Sequence, residues 1–211
     1  MSRLPLDPAG WPFIFGALLL GFGVQRLWSW PFAVPFLVLG AFFVFFFRDP
    51  PRHAVDRPDT VVSPADGRVM VAGPAVEKAA PPGDWQQVSI FLSPMDVHVN
   101  RVPASGRITS VSYKPGRFFA AYRPEAASEN ERSEIWIDHG GQMVVARQIV
   151  GVLARRVVCR AKPGQEVRAG DRYGVMKFGS RMDVYLPLSA ELRIAPGEVV
   201  RGGETVIAVL H

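Results

Sequence analysis

Few residues in this chain carry reactive chemistry. Gly179 and Ser180 stand together in the segment Lys177-Phe178-Gly179-Ser180-Arg181-Met182-Asp183. Glycine has no side chain to shield its carbonyl and tolerates strained backbone angles. A following serine hydroxyl can attack that carbonyl and move the upstream chain from nitrogen to oxygen. Elimination from the resulting ester cuts the backbone and leaves dehydroalanine. Hydrolysis turns that group into a pyruvoyl cap and releases ammonia. The products are residues 1–179 and residues 180–211. An isolated Gly-Ser is more often an ordinary turn, so its company decides. Asp66 stands in the turn Pro64-Ala65-Asp66-Gly67 at a strand start, and His98 lies in FLSPMDVHVNRVPASGRI, Phe91–Ile108. Both residue types are common in structural roles, but an imidazole titrates near neutral pH and suits proton transfer. His53, His139 and His211 are read as structural. Cys159 is the single cysteine and lies in an apolar run, as a small hydrophobe does. One cysteine excludes an intrachain disulfide and a multi-cysteine metal site.

Five segments occur in order: SPADGRV (Ser63–Val69), LSPMDVHVNRVP (Leu92–Pro103), YKPGRF (Tyr113–Phe118), SENER (Ser128–Arg132) and FGSRMDVYLP (Phe178–Pro187). Together they resemble the phosphatidylserine decarboxylase family, and closely its short bacterial and archaeal branch. The resemblance runs from about residue 45 to the C-terminus. It implies a proenzyme that cuts itself between Gly179 and Ser180 and converts Ser180 into a covalent pyruvoyl cofactor. It implies decarboxylation of phosphatidylserine to phosphatidylethanolamine through a Schiff base, with no metal. Asp66 matches the acidic member of the family's self-cleavage relay. Longer members carry two histidines in His-Arg-Val-His-Met-Pro; His98 matches the first, and Arg101 stands at the second. A full Asp-His-Ser relay is therefore not carried over: either His98 serves both steps, or the cut depends more on strain and less on a base. His98 is the natural candidate to return a proton to the substrate carbon. The implied partners are phosphatidylserine, membrane lipid, and the heterodimer of the chain's own large and small pieces.

The elements that must position these residues read as short strands. Thr60–Ser63, Gly67–Ala72, Gln87–Leu92, Arg107–Tyr113, Glu134–Asp138, Gln142–Val150, Val152–Cys159, Asp183–Leu186 and Glu191–Ile194 are β-branched or alternating runs bounded by Pro and Gly. No long amphipathic helix is expected after residue 60. Lys162–Met176 and Ala195–Val209 read alike, each as turn, short strand, turn, strand. They resemble the hammerhead-like halves of biotinyl and lipoyl carrier domains. The expected fold is mainly β, a barrel or sandwich with such halves, preceded by an N-terminal membrane helical hairpin. Phe118, Phe119 and Tyr122 are expected in the core.

From Pro8 to Phe47 the only charge is Arg26. Trp11–Val24 has the length of a re-entrant helix, and Leu27–Phe47 approaches the roughly 20 residues that span a bilayer. Residues 1–50 are read as a retained hairpin and residues 51–211 as the decarboxylase domain. Arg48, Arg52 and His53 follow the second helix, which puts that domain on the cytoplasmic side of the cell membrane. The net charge is +5, and nine Lys/Arg fall between Arg147 and Arg181 against two acids. No nucleic-acid signature accompanies them, so an anionic lipid surface is the expected partner; Arg155, Arg156, Arg160 and Lys162 read equally as a solvated face or as contacts to phosphate head groups. Two rivals predict an uncut chain. One is a biotin carrier using Lys177; the other is a membrane-tethered adaptor.

Overall fold

The computed structural model describes residues 5–53, 55, 57–152, 157–177 and 180–211. They form two compact units, Met1–Pro51 and Arg52–His211.

In the first unit Asp7 caps a 3-10 turn, Pro8–Gly10, its carboxylate accepting the Ala9 N–H at 2.9 Å. Helix α1 (Trp11–Leu27) follows directly, and α2 (Trp30–Phe46) returns after a break at Ser29. Both helices carry proline in the first turn, where the missing N–H has no helical acceptor anyway. Small residues bring the helices together. A methyl added at Gly21 would lie 3.2 Å from Phe36 Cβ, and Gly40 faces Ala17 and Leu18. The sequence put the longer apolar stretch second. The structure reverses this: Pro8–Leu27 is the run long and apolar enough to cross a membrane, at 20 residues. Starting at the Asp7 cap lengthens the first helix, while Pro50 and Pro51 keep the 17-residue α2 from continuing.

The second unit contains β1 (Thr60–Val62), β2 (Gly67–Pro74), β3 (Gln86–Leu92), β4 (Val99–Arg101), β5 (Gly106–Lys114), β6 (Arg132–His139), β7 (Gln142–Val150), β8 (Val157–Cys159), β9 (Glu166–Val167), β10 (Arg172–Met176), β11 (Ser180–Leu186), β12 (Glu191–Leu192), β13 (Val199–Val200) and β14 (Val206–Val209). An eight-stranded sheet of order β13-β2-β3-β11-β7-β6-β5-β9 curls into a half-barrel. Two three-stranded sheets, β1-β14-β12 and β4-β10-β8, accompany it. Every pairing between these strands is antiparallel. Ile90, Leu92, Ile108, Ile135, Ile137, Met182, Val184 and Ile207 fill the core. The only helix among the described residues of this unit is α3 (Ala126–Glu129).

The hammerhead-like halves are present, and their backbone bonds match in pairs. Gly203 N donates to Ser63 O and Gly170 N to Val102 O, both at 2.8 Å. Arg101 N donates to Pro64 O and Val62 N to Pro103 O, again both at 2.8 Å. These pairs expose a second repeat that the sequence reading passed over: Pro64-Ala-Asp-Gly-Arg68 and Pro103-Ala-Ser-Gly-Arg107. Gly67 and Gly106 share φ values of 152° and 149°. A Cβ at either would fall 2.2 Å from a carbonyl oxygen, of Phe91 or Asp138, so glycine is required at both. Two strand expectations change. Of Val152–Cys159 only β8 is a strand, with residues 153–156 outside the described ones. The last long strand begins at Ser180, not Asp183.

Candidate active site

Ser180 opens β11 and pairs with Leu92 on β3 and Val150 on β7. Its side chain is fully buried, and Oγ has no hydrogen-bond partner among the described residues. An unsatisfied hydroxyl in a protein interior is uncommon and calls for a reason. Gly179 lies outside the described residues.

His98 immediately precedes β4 and is buried. The turn before it is built by Asp96, whose carboxylate accepts the Ser93 N–H at 2.7 Å. The Asp96 carbonyl lies 2.9 Å from His98 Nδ1. A carbonyl only accepts, so Nδ1 carries the hydrogen of this contact. The Met176 N–H donates to the His98 carbonyl at 3.2 Å. Met176 is four residues from Ser180, a span of at most about 14 Å of chain. The loop carrying His98 leaves β3 at Leu92, the residue paired with Ser180. The topology thus delivers Ser180 and His98 to one end of the sheet.

Asp66 reaches the same end in the turn just before β2, a strand two across from β11, about 10 Å away. Its two carboxylate oxygens accept from Arg52 Nη2, at 2.9 and 2.7 Å, and it also accepts the Gly202 N–H at 2.8 Å. Arg52 also pairs with Glu204 at 3.1 Å. The His53 N–H, with Arg52 and Arg201, holds the Glu204 carboxyl below its ordinary range. In the other half Ser105 does what Asp66 does here: its hydroxyl accepts the Ala169 N–H at 3.0 Å. Arg101 is buried, with Nη1 donating to Gly170 O at 3.0 Å. Its stem packs so tightly on Gly203 that a Cβ there would lie 2.8 Å from Arg101 Cδ.

Behind Ser180, on the opposite face of the sheet, lies a buried ionic network that sequence reasoning missed. Arg181 Nε donates to Asp183 at 2.7 Å and its Nη2 to Ser89 Oγ at 2.9 Å. Arg147 donates to Glu134 at 2.6 Å and to the Tyr185 hydroxyl at 3.0 Å, and also to the Ala79 carbonyl. Burial, with the Asp183 carboxylate, pushes the Tyr185 phenol well above its usual range. Arg147 and Arg181 are therefore committed internally and do not face an anionic surface. Arg160 and Lys162 are exposed, while Arg155 and Arg156 lie outside the described residues. Asp183 has no exposed side-chain area. Asp183→Asn leaves the Arg181 charge buried without its partner, and we expect a loss of about 3–5 kcal/mol in urea denaturation.

Phe118 and Tyr122 are exposed, 41% and 63%, and not in the core. Their loop pairs with no long strand. It is held instead by Asn130, whose side chain bonds Phe119 N at 2.9 Å and Phe119 O at 2.8 Å. The same Asn130 amide donates to Val150 O at 2.8 Å, across from Ser180. The SENER segment therefore ties this loop to the serine end of the sheet. His139 bonds Ser105 O at 2.7 Å, and Cys159 packs half-buried against the core.

The profile of the family described as phosphatidylserine decarboxylase matches residues 39–208. The phosphatidylserine decarboxylase proenzyme of Nitrosomonas europaea is 43% identical over 203 residues, covering 96% of this chain and 94% of its own length. That of Geotalea daltonii is 40% identical, covering 99% and 98%. That of Saccharopolyspora erythraea is 42% identical, covering 98% and 89%. These relatives span nearly the whole chain, the five ordered segments included, and neither rival reading accounts for such a match. The chain belongs to the phosphatidylserine decarboxylase family.

Proposed function

We propose that this chain is a proenzyme that cuts itself between Gly179 and Ser180 and then decarboxylates phosphatidylserine to phosphatidylethanolamine. The observation that carries the reading is the Ser180 Oγ: buried, without a partner among the described residues, and at the start of a strand. A hydroxyl kept from water and from competing hydrogen bonds is available to attack the preceding carbonyl, that of Gly179. The N-to-O shift and elimination then release residues 1–179 as a large chain. Residues 180–211 form the small chain, which stays associated with it.

The residues at this end of the sheet fit a pyruvoyl group at position 180. Such a group supplies a carbonyl that condenses with the substrate amine and takes up the electrons left by carbon dioxide. The chain's own residues do the rest. Neighbours on β3 and β7 keep position 180 in register after the cut. His98, its ring fixed by the Asp96 carbonyl, takes up and returns a proton. Asp66 is the acidic member of the set. Held by Arg52, it grips the Gly202 N–H and so fastens the large chain to the small one. The apolar hairpin anchors the enzyme at the cell membrane, with the Arg52–His211 unit on the cytoplasmic side. The apolar run Pro8–Leu27 and the basic residues after α2 support this placement.

Carbon dioxide release from carboxyl-labelled phosphatidylserine tests the reading. Release is expected, and prior treatment with phenylhydrazine, which caps carbonyls, should abolish it. Release that survives phenylhydrazine contradicts a carbonyl cofactor.

A further inference from the structure

Ser180 Oγ is not the only buried polar atom without a partner at this place. Asn100 Nδ2 and Gln148 Oε1 share that state among the described residues, and the register brings all three together. Ser180 pairs with Val150 and Met182 with Gln148. Alternate residues of a strand share a face, and Met182 belongs to the core. Ser180 and Gln148 therefore point to the same interior, as diagonal neighbours about 7–8 Å apart. Gln148 Nε2 donates to Asn100 Oδ1 at 2.8 Å, which places Asn100, two residues along from His98, against the same group. The chain makes room for this pair. At Gly174 a Cβ would sit 2.6 Å from Gln148 Nε2 and 2.4 Å from Val158 O, so only glycine lets the amide lie over β10.

One buried donor and one buried acceptor left over on a single bonded amide pair, facing the same interior as the reacting serine, match a ligand with an anionic oxygen and an N–H close together. We propose that Asn100 and Gln148 read the serine headgroup. The Asn100 N–H donates to the carboxylate, and Gln148 Oε1 accepts from the N–H on the amino nitrogen. The assignment rests on the decarboxylase reading above. A phosphate is a poorer match, because a neutral amide pair offers it a single donor and no positive charge. The pair also distinguishes substrate from product, since the ethanolamine headgroup has no carboxylate to hold the Asn100 donor.

Asn100→Asp is the cleanest variant. It keeps an oxygen that accepts from Gln148 and replaces the unpartnered donor by an acceptor, which when ionised also repels the substrate carboxylate. The probe is a short-chain lipid with an N,N-dimethylserine headgroup, whose tertiary amine cannot condense with a carbonyl and so is not consumed. Its N,N-dimethylethanolamine counterpart lacks only the carboxylate. Intact mass reads both the cut and the concentration of each probe that halves phenylhydrazine labelling of the small chain. In the unmodified protein the serine probe should protect at about 10-fold lower concentration than the ethanolamine probe. In Asn100→Asp that ratio should fall to about one or below. Gln148→Met, similar in volume, should weaken both probes alike, because both carry the N–H. A cut Asn100→Asp chain that keeps the ratio overturns the proposal. So does a pair of variants that both remain uncut, since the amides would then serve the cut or the fold. If the unmodified protein takes no label at all, the decarboxylase reading fails instead.

Discussion

Ser180→Ala leaves one uncut chain of 211 residues, with no carbonyl to label and decarboxylation at the uncatalysed background, a loss of about 10⁶-fold or more. The effect is total because this one residue serves twice. Its hydroxyl attacks the Gly179 carbonyl and leaves with residues 1–179, and its carbons become the cofactor. The fold should survive: Ser180 Oγ donates to nothing among the described residues, so its removal costs no hydrogen bond, and the backbone pairing with Leu92 and Val150 is untouched. Denaturing mass spectrometry reads the chain count, and urea denaturation should give a midpoint no lower than that of the parent protein. An alanine variant that still cuts would place the attacking group elsewhere.

His98→Gln has the second largest expected effect, of a different kind. Glutamine retains an N–H for the Asp96 carbonyl but cannot exchange a proton near neutral pH. The variant should still be cut into two chains and still react with phenylhydrazine. Decarboxylation should fall by about 10²–10⁴-fold, the usual contribution of a positioned proton-transfer group. The pH dependence that an imidazole imposes on the rate should disappear with it. Comparing the mass spectrum with the carbon dioxide assay separates the two steps: a chain left uncut assigns His98 to the cut, and an unchanged rate removes it from the mechanism.

Much of this was legible in the residues, for physical reasons. Strand runs β2, β3, β5, β6 and β7 were found because each is β-branched or alternating and bounded by Pro, Gly or other turn residues; β6 alternates in burial, while β3 and β7 are buried on both faces. The start of β11 was not legible. Gly-Ser signals a turn, and nothing local shows that Ser180 already pairs on both sides. The small strands β4, β9 and β13 are held by tertiary pairing at two or three residues, too short for any period. The repeat of Pro64–Arg68 in Pro103–Arg107 was present in the letters. It was masked because Asp66 and Ser105 differ in charge while doing the same capping work. Charge counting misjudged Arg147 and Arg181, because composition does not reveal that Glu134 and Asp183 lie across the sheet from them or beside them. Phe118 and Tyr122 were misjudged by residue type alone. Their loop is set by Asn130, a long-range bond from a motif whose role the sequence did not disclose.

The central claim is that Ser180 ends as a carbonyl at the head of a separate chain, and an intact-mass spectrum of the purified, denatured protein tests it most directly. The account predicts two chains, one ending at Gly179 and one beginning at position 180. The smaller should be lighter by one ammonia than a peptide beginning with serine, and should gain mass with phenylhydrazine. A single mass for the full chain, in protein shown to be folded and able to decarboxylate phosphatidylserine, would contradict it.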